Sequence, residues 1–97
     1  MSHEGYHEPI EKLRPETLDM HRAIESLMEE LEAVDWYNQR VDVCIDPELK
    51  AILIHNRDEE KEHAVMMIEW LRRKDPFFAK QLKERLYREG PIAKSED

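Results

Sequence analysis

Residues 40–49, RVDVCIDPEL, contain the signal that divides this chain into two long helices. Asp46 suits a helix N-cap, Pro47 suits the first helical position, and Glu48 places a carboxylate at the positive end of the helix dipole. The stretch predicts that one helix ends near Val43 and that a second begins at Pro47. Because so few residues connect them, the two helices are expected to fold back as an antiparallel hairpin.

Proline and glycine mark the remaining boundaries. Pro15 predicts the start of the first helix, and Pro76 predicts that the second helix ends at about Lys74. A shorter third helix is expected from Pro76 to about Arg88, before Gly90 and Pro91. The predicted organisation is a loose segment over residues 1–14, one helical domain over residues 15–90 and a tail over residues 91–97.

Apolar residues recur at steps of three and four in both long helices, which is typical of amphipathic helices. In the first helix the stripe is Met20, Ile24, Leu27, Leu31, Val34 and Val41, interrupted at Asn38; in the second it passes Leu49, Leu53, Asn56, Glu60, His63, Met67 and Trp70. Met28, Met66 and Met67 are expected to fill the core. The predicted fold class is all-α, and its thin core predicts self-association.

The composition excludes several classes of partner. The chain has 97 residues, enough for one small domain, and 39% of them are charged, against about 25% in typical globular proteins. Its net charge of −8 argues against nucleic acid or an anionic membrane as a partner and suits cation binding. No apolar run approaches the roughly 18 residues of a membrane span, and the N-terminus has no export signal. The single cysteine, Cys44, fits a reducing cytoplasm and is expected to be inert.

Polar residues interrupt the stripe of the second helix at mid-length. Glu60 and His63 form a Glu-x-x-His motif, whose carboxylate and imidazole lie on one helix face and can bind one transition metal ion together. Asn56, one turn earlier, is a candidate to contact these ligands without binding the metal itself. The alternatives are a buried Glu–His hydrogen bond without metal, or a stripe that turns to solvent at this level.

The first helix offers a complementary carboxylate. Residues 28–32, MEELE, place glutamates around the middle of its stripe, with Glu30 about 80° from the stripe centre. In an antiparallel hairpin, Glu30 comes roughly opposite Glu60 and His63. The alternative for such a glutamate run is a solvated face, and a solvated face is also favoured for His55 and Glu59.

This set of residues amounts to half of a known type of metal site. Ferritin-like di-iron bundles take a glutamate from each of two helices and a Glu-x-x-His motif from each of the other two. The chain has one helix of each kind, so two copies related by a two-fold axis would complete a four-helix, two-metal site. The sequence therefore predicts a homodimer, with Glu30, Glu60 and His63 as candidate metal ligands.

Three segments together resemble the encapsulated ferritins, which are iron-oxidising cargo proteins of encapsulin nanocompartments. These segments are Met20–Ala23, Glu29–Tyr37 and His55–His63, and the resemblance extends from about His7 to Pro91. It implies a hairpin with a short C-terminal helix, paired into a ferritin-like four-helix bundle and assembled as an annular decamer. It also implies an encapsulin shell as partner and a cytoplasmic location inside that nanocompartment.

The resemblance implies roles for individual residues. Glu30, Glu60 and His63 match the ligands of a di-iron ferroxidase centre shared between two subunits, where dioxygen or peroxide oxidises Fe²⁺. Trp36 matches the aromatic neighbour of that centre, and Tyr37 follows it as in the family. From the residues alone, both aromatics are expected to pack in the core or an interface.

Glu29 and Glu32 match carboxylates that form a metal-attracting surface site in the family, where Ca²⁺ or Zn²⁺ are further candidate ions. Family members usually continue into a C-terminal extension with an encapsulin-targeting peptide, and no segment resembling one follows Pro91. The alternative function is a non-catalytic helical oligomerisation module, in which Glu60 and His63 hold a structural ion such as Zn²⁺.

Overall fold

The computed structural model describes residues 5–93, and the regular secondary structure of this part of the chain consists of helices. Its elements are a 3₁₀ helix over Ile10–Lys12 and three α-helices: α1 over Pro15–Val43, α2 over Pro47–Lys74 and α3 over Pro76–Arg85. The all-α fold class predicted from the sequence is confirmed. Residues 1–4 and 94–97, which belong to the predicted N-terminal segment and tail, lie outside the described residues.

Two aspartates set the beginnings of α2 and α3. The carboxylate of Asp46 accepts a hydrogen bond from the Leu49 amide at 2.8 Å, and that of Asp75 accepts from the Phe77 and Phe78 amides at 3.0 Å. Each cap satisfies amides that have no partner inside the helix. The α1–α2 connection is therefore only three residues long, from Cys44 to Asp46.

The third helix ends three residues earlier than the predicted Arg88. Tyr87 adopts a positive φ of 57°, a backbone conformation that interrupts the helix before Gly90 is reached. The guanidinium of Arg88 folds back and donates to the Lys83 carbonyl oxygen at 3.3 Å. A side chain thus satisfies a carbonyl of the last turn, a role that the sequence pattern had assigned to glycine capping.

Small side chains, together with one leucine and one valine, are the most deeply buried residues of α1 and α2. The buried residues of the described part are Ala23, Val41, Ala64 and Leu71. Of the predicted α1 stripe, Val41 is buried, whereas Ile24 and Leu31 remain 41% and 53% exposed in the single chain. Ala23 on α1 and Ala64 on α2, which the predicted stripes left out, are buried as well.

The chain is too extended to enclose a core of its own. Its radius of gyration is 17.3 Å, against about 12.5 Å for a compact domain of this length. Within residues 5–93, α3 packs on α2 and not on α1, which gives a slab of 49 × 41 × 19 Å. Met28 and Met66, which were predicted to fill the core, are 40% and 56% exposed in the single chain. Exposed apolar surface of this kind is typical of interfaces.

Segments outside the hairpin are short. In the N-terminal segment, the Tyr6 ring lies against the His21 imidazole of α1, with the ring centroids 4.4 Å apart. No helix among the described residues has the length and apolar character that crossing a membrane would require.

Candidate metal centre

Three potential metal ligands converge in the middle of the hairpin. Glu30 comes from α1, and Glu60 and His63 come from α2. One ligand atom from each side chain lies within 4.8 Å of the other two. The imidazole Nδ1 of His63 is 3.4 Å from Glu60 Oε1 and 3.6 Å from Glu30 Oε1. The three residues predicted as ligands are thus brought together in one chain.

The packing of the hairpin explains this convergence. Glu60 and His63 are one turn apart on α2, so their side chains leave the same face. Glu30 follows the buried Ala23 by two turns, and its carboxylate reaches α2, 3.6 Å from the His63 imidazole. Ala64, next to His63, is buried against the hairpin.

The electrostatics of the cluster reflect an excess of negative charge. A shared hydrogen bond with Glu60 raises the pKa of Glu30 above its usual value, and burial and repulsion from Glu60 raise it further, against the opposing effect of His63. Burial lowers the pKa of His63, but hydrogen bonding to Glu60 and attraction by both carboxylates outweigh it and leave a net increase. The single imidazole therefore carries too little positive charge to balance the two carboxylates.

The cluster is open on one side. The His63 side chain is 43% exposed, and both glutamates are half-buried. Three donor atoms leave free coordination positions on any bound ion, whereas closed structural sites use four protein ligands. Mixed carboxylate and imidazole donors suit iron, manganese or zinc.

The other residues predicted for this site do not join the three-residue cluster. Glu29 is exposed, Glu32 is half-buried and Trp36 is exposed on α1. The Tyr37 ring lies under the Arg40 guanidinium, 5.3 Å from its centroid. Asn56 is half-buried on α2. The metal-attracting and supporting roles of these residues stay predictions.

Sequence reasoning missed Arg57. Its Nη1 donates across the hairpin to Asn38 Oδ1 at 3.2 Å, while its Nε pairs with the carboxylate of Asp58 at 3.2 Å. The signal in the sequence was Asn38, the polar residue that interrupts the apolar stripe of α1. Because Asn38 interrupts the apolar stripe of α1, its amide oxygen needs a polar partner, and Arg57 of α2 provides one.

Further histidine–carboxylate pairs occur on single helices. His55 and Glu59 are 3.3 Å apart and mostly exposed, as expected for a solvated face. His21 and Glu25 are also 3.3 Å apart, beside Tyr6. The Cys44 thiol donates to the Asp46 carbonyl oxygen at 3.6 Å. None of these residues belongs to a group of three metal-binding side chains within residues 5–93.

Several known proteins are similar in sequence to this chain. The chain is 66% identical over 86 residues to an encapsulated ferritin-like protein of Rhodospirillum rubrum, covering 89% of this chain and 61% of that protein. It is 48% identical over 92 residues to a ferritin-like protein of Thermotoga maritima, covering 95% of this chain and 81% of that protein. An encapsulin nanocompartment cargo protein of Myxococcus xanthus, EncC, is 42% identical over 55 residues, covering 57% of this chain and 42% of that protein.

A solved structure has the same fold. The crystal structure of protein ne0167 from Nitrosomonas europaea superposes with a TM-score of 0.89 at 66% sequence identity, covering 94% of this chain and all of the other. The model of the EncFtn-like family matches residues 5–89, which include all three cluster residues. The chain therefore belongs to the EncFtn-like family of encapsulated ferritin-like proteins.

Proposed function

We propose that this chain is a ferroxidase, which oxidises Fe²⁺ to Fe³⁺ at a di-iron centre shared between two copies. The observation that supports it is the convergence of Glu30, Glu60 and His63, whose ligand atoms lie within 4.8 Å of one another. Two carboxylates and an imidazole form a donor set that suits iron in both oxidation states, and anionic oxygens favour the more highly charged Fe³⁺.

A second copy of the chain supplies the other half of the site. One chain provides one glutamate helix and one Glu-x-x-His helix, and di-iron bundles of this type need two of each. The exposed side of His63 and the exposed apolar residues of α1 and α2 leave room for a two-fold partner. The homodimer is thus the smallest active unit, and the annular decamer is the assembly that we expect from the resemblance.

Each ligand has a distinct role in this scheme. Glu30, whose pKa is raised chiefly by its hydrogen bond with Glu60, would bind a cation with its carboxylate and would be the ligand that two ions share. Glu60 and His63 of each chain hold one ion apiece. Iron supplies the electron, and dioxygen or peroxide accepts it.

Residues around the centre serve uptake and packing. Glu29 and Glu32 attract Fe²⁺, or Ca²⁺ and Zn²⁺, through their negative field, an effect that salt weakens. Trp36, Tyr37 and Asn56 pack around the ligands. The product Fe³⁺ is delivered for storage inside an encapsulin nanocompartment in the cytoplasm, with the encapsulin shell as partner, as the names of the relatives suggest.

Repeated iron additions test this function. Fe²⁺ is added anaerobically to the purified protein, air is admitted, and the Fe³⁺ absorbance is followed over several cycles. A ferroxidase gives a rapid rise with each addition, faster than iron in buffer. A structural metal site, the alternative, gives at most one stoichiometric binding event without turnover. Sedimentation before and after iron addition is expected to show association, because metal ties two chains together.

A further inference from the structure

Polar side chains connect α1 and α2 at two levels of the described hairpin. One level is the cluster of Glu30, Glu60 and His63. The other is the hydrogen bond from Arg57 to Asn38, three residues before Glu60 on α2. The proposed function uses the first level and leaves the second without a role.

The Arg57 side chain is oriented by a residue of its own helix. Its side chain is only 22% exposed, and Asp58 binds its Nε at 3.2 Å. Asp58 is itself held by Lys61 at 3.4 Å. Because the guanidinium is oriented by one partner on its own helix, it loses little freedom when it donates to the other helix. The bridge is therefore a defined contact between the two helices.

The shape of the hairpin gives this contact a mechanical consequence. Glu30 lies fourteen residues before Cys44, so it is about 21 Å from the connection along the helix. A change of about 5° in the angle between the helices would displace Glu30 from α2 by about 2 Å at that distance. The four buried residues of the hairpin, Ala23, Val41, Ala64 and Leu71, are all apolar and form no directional contact that would fix this angle. Arg57 and Asn38 cross-link the helices between the connection and the cluster.

We propose that Arg57 and Asn38 form a positioning pair, which holds α1 against α2 so that Glu30 reaches a metal ion bound by Glu60 and His63. This inference rests on the proposed function, since it requires those three residues to bind metal.

Cobalt binding tests the pair directly. Co²⁺ is titrated into the purified full chain, and its visible absorption bands report both affinity and coordination geometry. Asn38→Ala and Arg57→Ala are each expected to weaken Co²⁺ binding about tenfold and to change the band pattern. The double variant is expected to bind no worse than either single variant. Asn38→Asp keeps an oxygen acceptor and is expected to bind within about twofold of the wild type.

Gln39→Ala is the matched control. Gln39 donates to Asp35 on its own helix, so this variant loses an exposed side-chain hydrogen bond of α1 without breaking the bridge. Its Co²⁺ spectrum is expected to equal that of the wild type. Thermal unfolding of every variant identifies any loss of folded protein, and Asn38→Asp then shows whether the acceptor alone restores the spectrum.

The outcomes separate this inference from the proposed function. If the wild type gives no Co²⁺ spectrum, or His63→Ala does not alter it, the metal-site assignment fails. If His63→Ala abolishes binding while Asn38→Ala and Arg57→Ala behave like Gln39→Ala, the site stands and the positioning pair is overturned. Losses that add up in the double variant also overturn it, because a pair that acts as one contact can be broken only once.

Discussion

Glu60 and Glu69 of α2 each have a basic residue three positions later, and their surroundings make them chemically opposite. Glu60 is followed by His63, with 3.4 Å between Oε1 and Nδ1. Glu69 is followed by Arg72, which donates to both of its oxygens at 2.6 and 2.7 Å, and Arg73 donates at 2.7 Å. The identical spacing produces a loose contact in the first case and a tight, fully charged one in the second.

The difference lies in how the negative charge is balanced. Two guanidinium groups lower the pKa of Glu69 to about 2, so this carboxylate needs no further cation. At the other position α1 adds a second carboxylate, Glu30, whose pKa is raised chiefly by its hydrogen bond with Glu60. The imidazole between the two carboxylates supplies at most one positive charge. A local shortage of positive charge, rather than the presence of carboxylates, is what distinguishes a candidate cation site from a surface ion pair.

The largest effect is expected from removing the ligands on α2. Glu60→Ala and His63→Ala are each expected to lower the initial rate of Fe²⁺ oxidation by at least about 100-fold, because each removes one of three protein donors. Stopped-flow absorbance of Fe³⁺ formation in air measures the rate.

Glu69→Gln is the matched control for these variants, since it alters the other carboxylate of the same helix. It is expected to stay within about twofold of the wild-type rate, because Glu69 belongs to an exposed ion pair remote from the chemistry. A wild-type rate in His63→Ala would refute the ligand assignment.

An intermediate effect is expected at Glu30. Glu30→Gln removes the repulsion between two carboxylates, so the metal-free protein is expected to gain about 0.5 kcal/mol in the free energy of unfolding. The same change removes an anionic ligand, and Co²⁺ affinity is expected to fall about 10- to 100-fold. Denaturant unfolding in the presence of a chelator and a Co²⁺ titration measure the two quantities.

A variant that lost both stability and affinity would show that Glu30 supports the fold instead of straining it. Opposite signs for the two quantities are typical of residues retained for function at the expense of stability. His55→Gln, which alters a solvated histidine on α2, is a suitable control because it is expected to change neither quantity much.

Much of the fold was predictable because the chain marks its own boundaries. Pro15, Pro47 and Pro76 each begin a helix as predicted, and Asp46 caps α2. The burial of Ala23 and Ala64 was not predictable from hydrophobic periodicity, because that measure weights large residues. Their small size matters only when the second helix is present.

The candidate site was partly predictable for a related reason. Glu60 and His63 interrupt an apolar stripe, and such interruptions indicate a function or a partner. Glu30 was found by counting along an antiparallel hairpin, but its distance of 3.6 Å from the His63 imidazole needed the structure. Arg57 gave no local signal, since an arginine on a charged helix is ordinary. Its contact with Asn38 depends on the geometry of both helices together.

The smallest expected effect is on the pH dependence of stability in the absence of metal, where the two carboxylate regions act in opposite pH ranges. His63 has a folded-state pKa above its ordinary 6.5, so its stabilising contribution is complete below pH 6.5 and is lost as the pH rises through the raised value. Glu30 has a raised pKa too, so its ionisation above about pH 4.5 also lowers stability as the pH rises. The cluster therefore weakens the fold on the alkaline side.

Glu69 has the opposite sign, because its pKa is lowered from 4.5 to about 2. Its contribution is complete above pH 4.5 and is lost as the pH falls towards 2. Melting temperatures measured with a chelator present are expected to fall by about 2 °C between pH 6 and 8 in the wild type. His63→Ala is expected to flatten that alkaline slope, and Glu69→Gln is expected to change only the acidic side. If the melting temperature of His63→Ala still fell between pH 6 and 8, the imidazole would not be the group that balances the two carboxylates. The shortage of positive charge that marks this cluster as a cation site would then have another origin.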